Sequence, residues 1–264
     1  MQYKVGFIGC GNMGGALLNA VINNIGANNC CVCEKQPEKT VDFVKKGVTL
    51  LDITELAKNC EFIFLAVKPQ VLPQTIAEIN GCINKNAVIV TMAAGTDIET
   101  IQNLLNKDHP IIRIMPNMPC AIGKGIVLYC HNAFVTNTQK SDFLNLLNNI
   151  GLIDYIDQEK IDAASVISGC GPAFAYMFLE ALANATEACG LNKESAVLYA
   201  THMLEGAALM VKHQNTDISN LITAVCSPKG TTIEGVEALR NLGLYEIVEK
   251  AVRASYNRTK ELKG

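Results

Sequence analysis

The stretch that most limits what this chain can become is its first 25 residues. Residues 5–8 form a short apolar run that enters Gly9-Cys10-Gly11-Asn12-Met13-Gly14, and Ala16, Leu17, Ala20, Val21 and Ile25 then recur at helical spacing. A strand, a Gly-x-Gly-x-x-Gly turn and a helix, in that order, predict the opening unit of a dinucleotide-binding sheet. Glycine allows the tight turn and lets the backbone approach a pyrophosphate, which rests on the positive end of the helix.

Beyond this helix the chain alternates as such a sheet needs. A second strand over residues 30–33 ends at Glu34, twenty positions beyond Gly14. An acidic side chain there bonds the adenosine ribose and favours NAD, whereas Lys35 beside it would suit the 2′-phosphate of NADP, so NADPH or NADH stays open. A strand over residues 61–67 stops at Lys68-Pro69, which sends Ala66, Val67 and Lys68 off the carboxyl edge of the sheet, where ligands lie in doubly wound folds. Residues 87–92 make another buried strand, closing on Ala93, Ala94 and Gly95, small enough to admit a ring or a ribose. Strands over 111–115 and 125–129 bracket Pro116-Asn117-Met118-Pro119, where Asn117 is placed to bond a carboxamide or to stabilise its own turn. A strand over 152–156 finishes the sheet. The expectation is a mostly parallel sheet with helices on both faces.

From residue 157 strand signals stop and helical periodicity takes over. We expect an α/β protein of two domains: a doubly wound dinucleotide-binding domain over 1–157 and an all-α domain over 158–264. Helical pieces are expected over 161–167, 173–189, 194–214, 218–225, 233–242 and 245–262, with Ser168-Gly169-Cys170-Gly171-Pro172 interrupting the first two and Gly190 ending the second. Phe174-Ala175-Tyr176-Met177-Phe178-Leu179 is apolar nearly all round, which asks for more protein than one small bundle supplies. A second copy of the chain is the simplest source, so at least a dimer is expected. Within this half, Ser227-Pro228-Lys229-Gly230-Thr231-Thr232 is the polar cluster: a helix-stopping turn, then Thr231 or Thr232 as N-cap of the next helix, whose N-terminus attracts small anions.

Composition narrows the partners. The net charge of −3 comes with no basic block, which removes the electrostatic footprint of a nucleic-acid binder. The 11 cysteines are odd in number and scattered, and Cys31-Val32-Cys33 has no companion ligand pair, so free thiols in a reducing cytoplasm are expected, not disulfides or a metal site. No leader is expected, because the N-terminus goes straight into the first strand, and no apolar run is expected to approach the length of a bilayer span. His109, His131, His202 and His213 have no visible partners and are expected at the surface or in packing.

Taken together, these landmarks resemble pyrroline-5-carboxylate reductases over essentially the whole chain. They are the N-terminal Gly6-Phe7-Ile8-Gly9-Cys10-Gly11-Asn12-Met13, Phe64-Leu65-Ala66-Val67-Lys68-Pro69, Ala93-Ala94-Gly95, Ser168 to Phe174, and Ser227 to Glu234. The resemblance implies NAD(P)H-dependent reduction of L-1-pyrroline-5-carboxylate to L-proline. It implies that Ile8, Gly9, Cys10, Gly11, Asn12 and Met13 meet the pyrophosphate, and that Ala66, Val67, Lys68, Pro69, Ala93, Ala94 and Gly95 line the nucleoside and nicotinamide. By position it makes Ser227, Gly230, Thr231 and Thr232 the substrate residues, and it implies obligate dimers, often assembled into decamers. The sequence departs from the family at Lys229, where a second glycine is common, and at Cys170 and Phe174, where serine and tyrosine are frequent. Ile53 and Ala224 stand where related enzymes can carry a cofactor-touching Asn.

The chemistry fits those residues. An iminium is already electrophilic, so a hydroxyl such as that of Thr232, bonded to the ring nitrogen, suffices to orient it, and the substrate carboxylate would rest on the N–H groups of Gly230 and Thr231. A β-hydroxyacid dehydrogenase would carry a catalytic lysine in the helix after the boundary, and residues 173–190 contain none. A dinucleotide sensor would have no use for the Ser/Thr turn.

Overall fold

A computed structural model describes residues 2–106 and 108–261. The chain packs as two compact units, one comprising the chain up to Cys170 together with the segment from Tyr256 onward, the other Gly171–Ser255.

The first unit holds strands β1 (Tyr3–Ile8), β2 (Cys30–Cys33), β3 (Thr49–Leu50), β4 (Cys60–Leu65), β5 (Val88–Thr91), β6 (Ile111–Pro116), β7 (Gly125–His131) and β8 (Gly151–Tyr155). Between them run helices α1 (Asn12–Ile25), α2 (Val41–Lys45), α3 (Ile53–Asn59), α4 (Leu72–Asn80), α5 (Ile98–Leu105), α6 (Asn137–Leu146) and, after β8, α7 (Gln158–Ser165). The sheet order is β3-β2-β1-β4-β5-β6-β7-β8. All neighbours are parallel except β6 and β7, whose short connection leaves no room for a crossover. Because β2 and β3 lie on one side of β1 and β4 to β8 on the other, strand order reverses between β1 and β4. The crevice for a ligand opens at the carboxyl ends of those two strands.

Both faces of the sheet are buried, which is why its strands read as unbroken apolar runs. Along β4, Phe62 and Phe64 join one core with Val5, Phe7, Leu17 and Val90, while Ile63 and Leu65 join the other with Ile8, Leu56, Ile76 and Ile89. Phe7 and Phe64 stack at 4.5 Å between ring centroids. One buried ion pair interrupts this apolar packing. Arg113 of β6, fully buried, donates from Nη2 to Asp162 Oδ1 of α7 at 2.7 Å and so ties that helix to the sheet. Cys30 and Cys31 are core residues, with Cys31 Sγ 3.2 Å from Cys60 Sγ, and the described cysteines are all unpaired thiols. His109 is buried, its Nδ1 3.1 Å from the Ala87 carbonyl, and the His131 ring packs by Tyr155, so both imidazoles have partners that the sequence did not reveal.

The second unit is helical: α8 (Gly171–Ala188), α9 (Lys193–His213), α10 (Ile218–Ala224), α11 (Thr231–Asn241) and most of α12 (Leu244–Glu261). Gly190 stops α8 as expected, at φ +101° with its N–H on Glu187 O. The unit buries little by itself. Ala183 of α8 and Ala196 and Ala200 of α9 are inside, α10 to α12 bury no residue, and Tyr176, Met177, Leu198 and Tyr199 stand exposed.

The expected interruption at Ser168 to Pro172 does not occur. Val166–Cys170 forms one π-helical turn that joins α7 to α8 without a break. Pro172 has no N–H to offer the carbonyl of Ser168, four residues earlier, and Asn117 Nδ2 supplies the missing bond at 2.8 Å. The resulting helix, Gln158–Ala188, is long and apolar enough to cross a membrane by length and composition, which the broken reading had concealed; 17% of its most apolar stretch is buried.

Candidate active site

The glycine turn after β1 is built as its three glycines require. Gly9 lies at φ +95°, and a Cβ there would come within 2.5 Å of Ala66 O. Gly14 faces the Gly9 carbonyl and Ala66 Cβ, at 2.8 and 2.9 Å from a would-be Cβ, so it lets α1 sit against β4. Gly11 has nothing within 4 Å. It is the N-cap of α1, with no side chain capping it, and the first intrahelical bond runs from Gly15 N to Gly11 O. The N–H groups of Asn12 and Met13 therefore have no acceptor inside the helix, and the space around Gly11 is clear. That is a cradle for a phosphate.

From this turn a cavity of about 430 Å³ extends along the carboxyl ends of β1, β2 and β4. Of the expected cofactor residues, Ile8, Gly9, Gly11, Glu34, Lys35, Ala66, Val67 and Lys68 line it. Cys10, Gly11 and Asn12 line an adjoining cleft with Phe43 and Lys39. Met13 and Pro69 lie just outside these linings. Ala93, Ala94 and Gly95 follow β5 on the same edge, with Gly95 at φ +73° completing a turn in which Thr96 N bonds Ala93 O. Asn117 ends β6 on that edge but is occupied structurally. Besides donating to Ser168 O, it accepts the Ile126 N–H on Oδ1 at 2.9 Å, and its side chain is buried.

On the opposite wall sequence reasoning singled out Ile53 through the resemblance and missed Lys39, Asp52, Val71, Thr75 and Glu78. These come from the loop after β2, the start of α3 and the length of α4, and nothing local in the sequence tells them from solvated surface. Asp52 is the N-cap of α3. Bonds from the Thr54 hydroxyl and the Glu55 and Thr54 N–H groups hold its carboxyl below the usual carboxylate range. Burial, with Glu34 nearby, pushes the Cys10 thiol up to about 11, while Lys39 pulls the other way. Cys10 is thus a neutral packing group at neutral pH.

The Ser/Thr turn in the helical unit has its own geometry. Gly230 N donates to Ser227 O at 3.0 Å across Pro228 and Lys229, and Lys229 lies at φ +59°. Proline second and a positive φ third is the pattern of a type II turn, whose third position favours glycine. The expected cap at Thr231 or Thr232 is not what forms: the N-cap is Gly230, with no side-chain cap bond. Thr231 and Thr232 fall in the first turn of α11 instead, and their hydroxyls have no hydrogen-bond partner among the described residues. The Gly230 N–H, expected to receive a carboxylate, is used inside the turn; those of Thr231 and Thr232 carry no intrahelical bond. A Cβ at Gly230 would displace Ser227 Oγ and sit 3.0 Å from Ser227 O, so the turn is tight there.

Comparison with known proteins agrees with both halves. Residues 4–95 match the family described as NADP oxidoreductase coenzyme F420-dependent, and residues 158–262 match pyrroline-5-carboxylate reductase dimerisation. The chain is 33% identical over 266 aligned residues to pyrroline-5-carboxylate reductase of Escherichia coli strain K12, covering 99% of each chain. Its fold matches the pyrroline-5-carboxylate reductase of Coxiella burnetii with a TM-score of 0.91 at 30% identity, covering all of both chains. The Plasmodium falciparum pyrroline carboxylate reductase, crystallised with NADP bound, matches with a TM-score of 0.90 at 28% identity, again over all of both chains.

Proposed function

The chain belongs to the pyrroline-5-carboxylate reductase family, and from that premise we infer that it reduces L-1-pyrroline-5-carboxylate to L-proline with NADPH or NADH, the last step of proline biosynthesis. The observation that carries this reading is the presence, in one chain, of two helix N-termini left open by glycine. One, at α1, borders a nucleotide-sized cavity; the other, at α11, bears two free hydroxyls.

In this reading residues 1–157 hold the nucleotide. The N–H groups of Asn12 and Met13 take the pyrophosphate, Gly9 and Gly11 let it approach, and Ala66, Val67, Lys68, Pro69, Ala93, Ala94 and Gly95 line the path toward the reacting ring. The cradle fits such a group, because a Cβ is excluded at Gly9 and Gly14 while the space at Gly11 is clear. When bound, the reduced nicotinamide supplies the hydride.

Residues 158–264 hold the substrate and a second copy of the chain. The substrate carboxylate sits on the Thr231 and Thr232 N–H groups, with Ser227 and Gly230 fixing the turn that presents them. The Thr232 hydroxyl bonds the ring nitrogen, orienting the imine and steadying its change of charge. No strongly perturbed acid is needed, since the iminium arrives activated, and most of the rate comes from holding the reacting atoms about 3–3.5 Å apart. The apolar faces of α8 and α9 pack on a partner copy, giving at least a dimer. Eleven unpaired thiols suit a cytoplasmic location.

The test is to mix the protein with pyrroline-5-carboxylate and either reduced cofactor and follow loss of nicotinamide absorbance. Substrate-dependent loss is expected. Thr232→Ala should lower kcat on the order of 100-fold, within the range for a lost proton-handling group, with nucleotide binding retained. No loss with either cofactor would overturn the assignment, and unchanged turnover in the variant would remove Thr232 from the mechanism.

A further inference from the structure

The loop that carries Ala93, Ala94 and Gly95 is tied at its far end to α7, a helix outside the cofactor cavity. From the bonds on that helix we infer that α7 positions the nicotinamide wall, with Gln158 as the positioning residue and the buried Arg113–Asp162 pair as its anchor. This rests on the reading of Ala93, Ala94 and Gly95 as that wall.

The loop runs from Thr91, the last residue of β5, to Ile98, the first of α5. At its near end the Thr91 hydroxyl accepts the Ala93 N–H at 3.4 Å, and the Thr96 N–H closes back on Ala93 O at 3.3 Å. At its far end Asp97 caps α5 by accepting the Thr100 N–H at 2.8 Å. The N–H of Ile98, in the first turn, has no acceptor within α5. Gln158 Oε1 supplies one at 2.9 Å, from the first residue of α7 and 60 positions later. Gly95 lies at φ +73° between these two fixed ends, so the place of Gln158 helps decide where the three small residues stand.

The helix α7 is itself held by charge. Arg113 pairs with Thr91 across β6 and β5, so both side chains leave the same face of the sheet, and both are fully buried. From there Arg113 Nη2 reaches Asp162 Oδ1, one helical turn beyond Gln158, at 2.7 Å. Ile161 joins the same core as Ile98 and Ile101 of α5. Nε and Nη1 of Arg113 have no hydrogen-bond partner among the described residues. A buried cation with two donors unmet is a poor source of stability, and an apolar pair of similar size would serve the core as well. What an apolar pair would not supply is a directional bond that fixes α7 along its axis. The anchor therefore sets the height of Gln158 over the loop, and through it the wall that would meet the ring.

The experiment uses the full chain and ligands that differ only by the nicotinamide ring: NADH against ADP-ribose, and NADPH against 2′-phospho-ADP-ribose, in titration calorimetry. Gln158→Leu should weaken dinucleotide binding by about threefold to tenfold, the worth of one hydrogen bond, and leave the ringless ligand unchanged. In the free protein the same variant should lose hydrogen-exchange protection at the Ile98 N–H. Gln158→Glu keeps an acceptor at that place and should rescue both readouts. Arg113→Met combined with Asp162→Leu removes the buried charges together and should shift dinucleotide binding in the same direction as Gln158→Leu. Unchanged dinucleotide affinity in Gln158→Leu would overturn the inference, as would equal weakening of both ligands, an Ile98 N–H that stays protected, or a Gln158→Glu variant that fails to rescue. Should the double variant not fold, the Gln158 variants decide. A wild type that binds dinucleotide and ringless ligand equally overturns the wall reading as well, and one that binds neither overturns the dinucleotide site itself.

Discussion

The helix starts at Gly11 and Gly230 use one device in opposite surroundings. Each has glycine as N-cap with no capping side chain, so each turns unbonded N–H groups outward. At α1 the device is anchored: the helix buries Gly14, Ala16, Leu17, Leu18 and Val21, and the positive φ of the turn falls on Gly9, which bears it without strain. At α11 the helix buries nothing, and the positive φ falls on Lys229, a residue that resists it. The lesson is that an anion site of this kind needs only a short piece of backbone, but its rigidity comes from whatever packs behind it. The sheet supplies that support within the chain. The helical unit, with its exposed Tyr176, Met177 and Leu198, does not supply it by itself, and in the proposed dimer a second copy would.

The largest expected effect separates the two turns. Gly9→Ala places a Cβ against Ala66 O at 2.5 Å in a left-handed backbone, and should lower stability by about 3 kcal/mol or more and abolish nucleotide binding. Gly230→Ala should leave nucleotide binding and the melting of the sheet unit intact while lowering kcat/KM by roughly 10-fold, because the added Cβ displaces the Ser227 hydroxyl and crowds Ser227 O at 3.0 Å in the turn that presents Thr231 and Thr232. Thermal melts and nucleotide titrations of both variants check this. A Gly230→Ala protein that loses nucleotide as well would break the contrast.

Alkaline pH should sharpen it next. The thiols of Cys10, Cys30 and Cys130 all belong to the sheet unit, and burial raises them from 9.0 to about 11, 12 and 11. In that window the unfolded chain has ionised and the folded chain has not, so the unfolded state binds fewer protons and stability falls as pH rises. The contribution is whole below 9.0 and lost progressively above it. Circular-dichroism melts in this range should show a declining Tm, and replacing Cys30 by Ala should flatten the slope. A Tm independent of pH there would contradict the burial assigned to these thiols.

The smallest effect is at Lys229. Lys229→Gly removes the cost of a side chain at φ +59° and should raise stability by up to about 1 kcal/mol, net of the freedom glycine adds to the unfolded chain. Calorimetric Tm values compare the two proteins, and a lower Tm in the variant would mean that the lysine side chain makes a compensating contact.

Much of the fold was legible because it is local. The strands at residues 30–33, 111–115 and 125–129, the glycine turn and the stop at Gly190 each depend on a few adjacent residues, and the sheet formed as its apolar runs required. The misreadings were at places where a distant partner intervened. Pro172 does not break its helix because Asn117, 55 positions earlier, supplies the donor that proline lacks. Glu34 lines the cavity as expected, but its bond from the Cys10 N–H, 24 positions earlier, could not be read from the sequence. The start of α11 is a local exception: it reads as capped by a threonine, and the four-residue turn from Ser227 makes Gly230 the N-cap instead.

By itself, then, the sequence determined most of the strands and helices and the glycine turn, since backbone sterics and apolar periodicity act over neighbouring residues. Only the tertiary structure decided which polar groups remain free to bind. A hydrogen bond goes to whichever partner folding brings within reach, and that partner can lie anywhere along the chain.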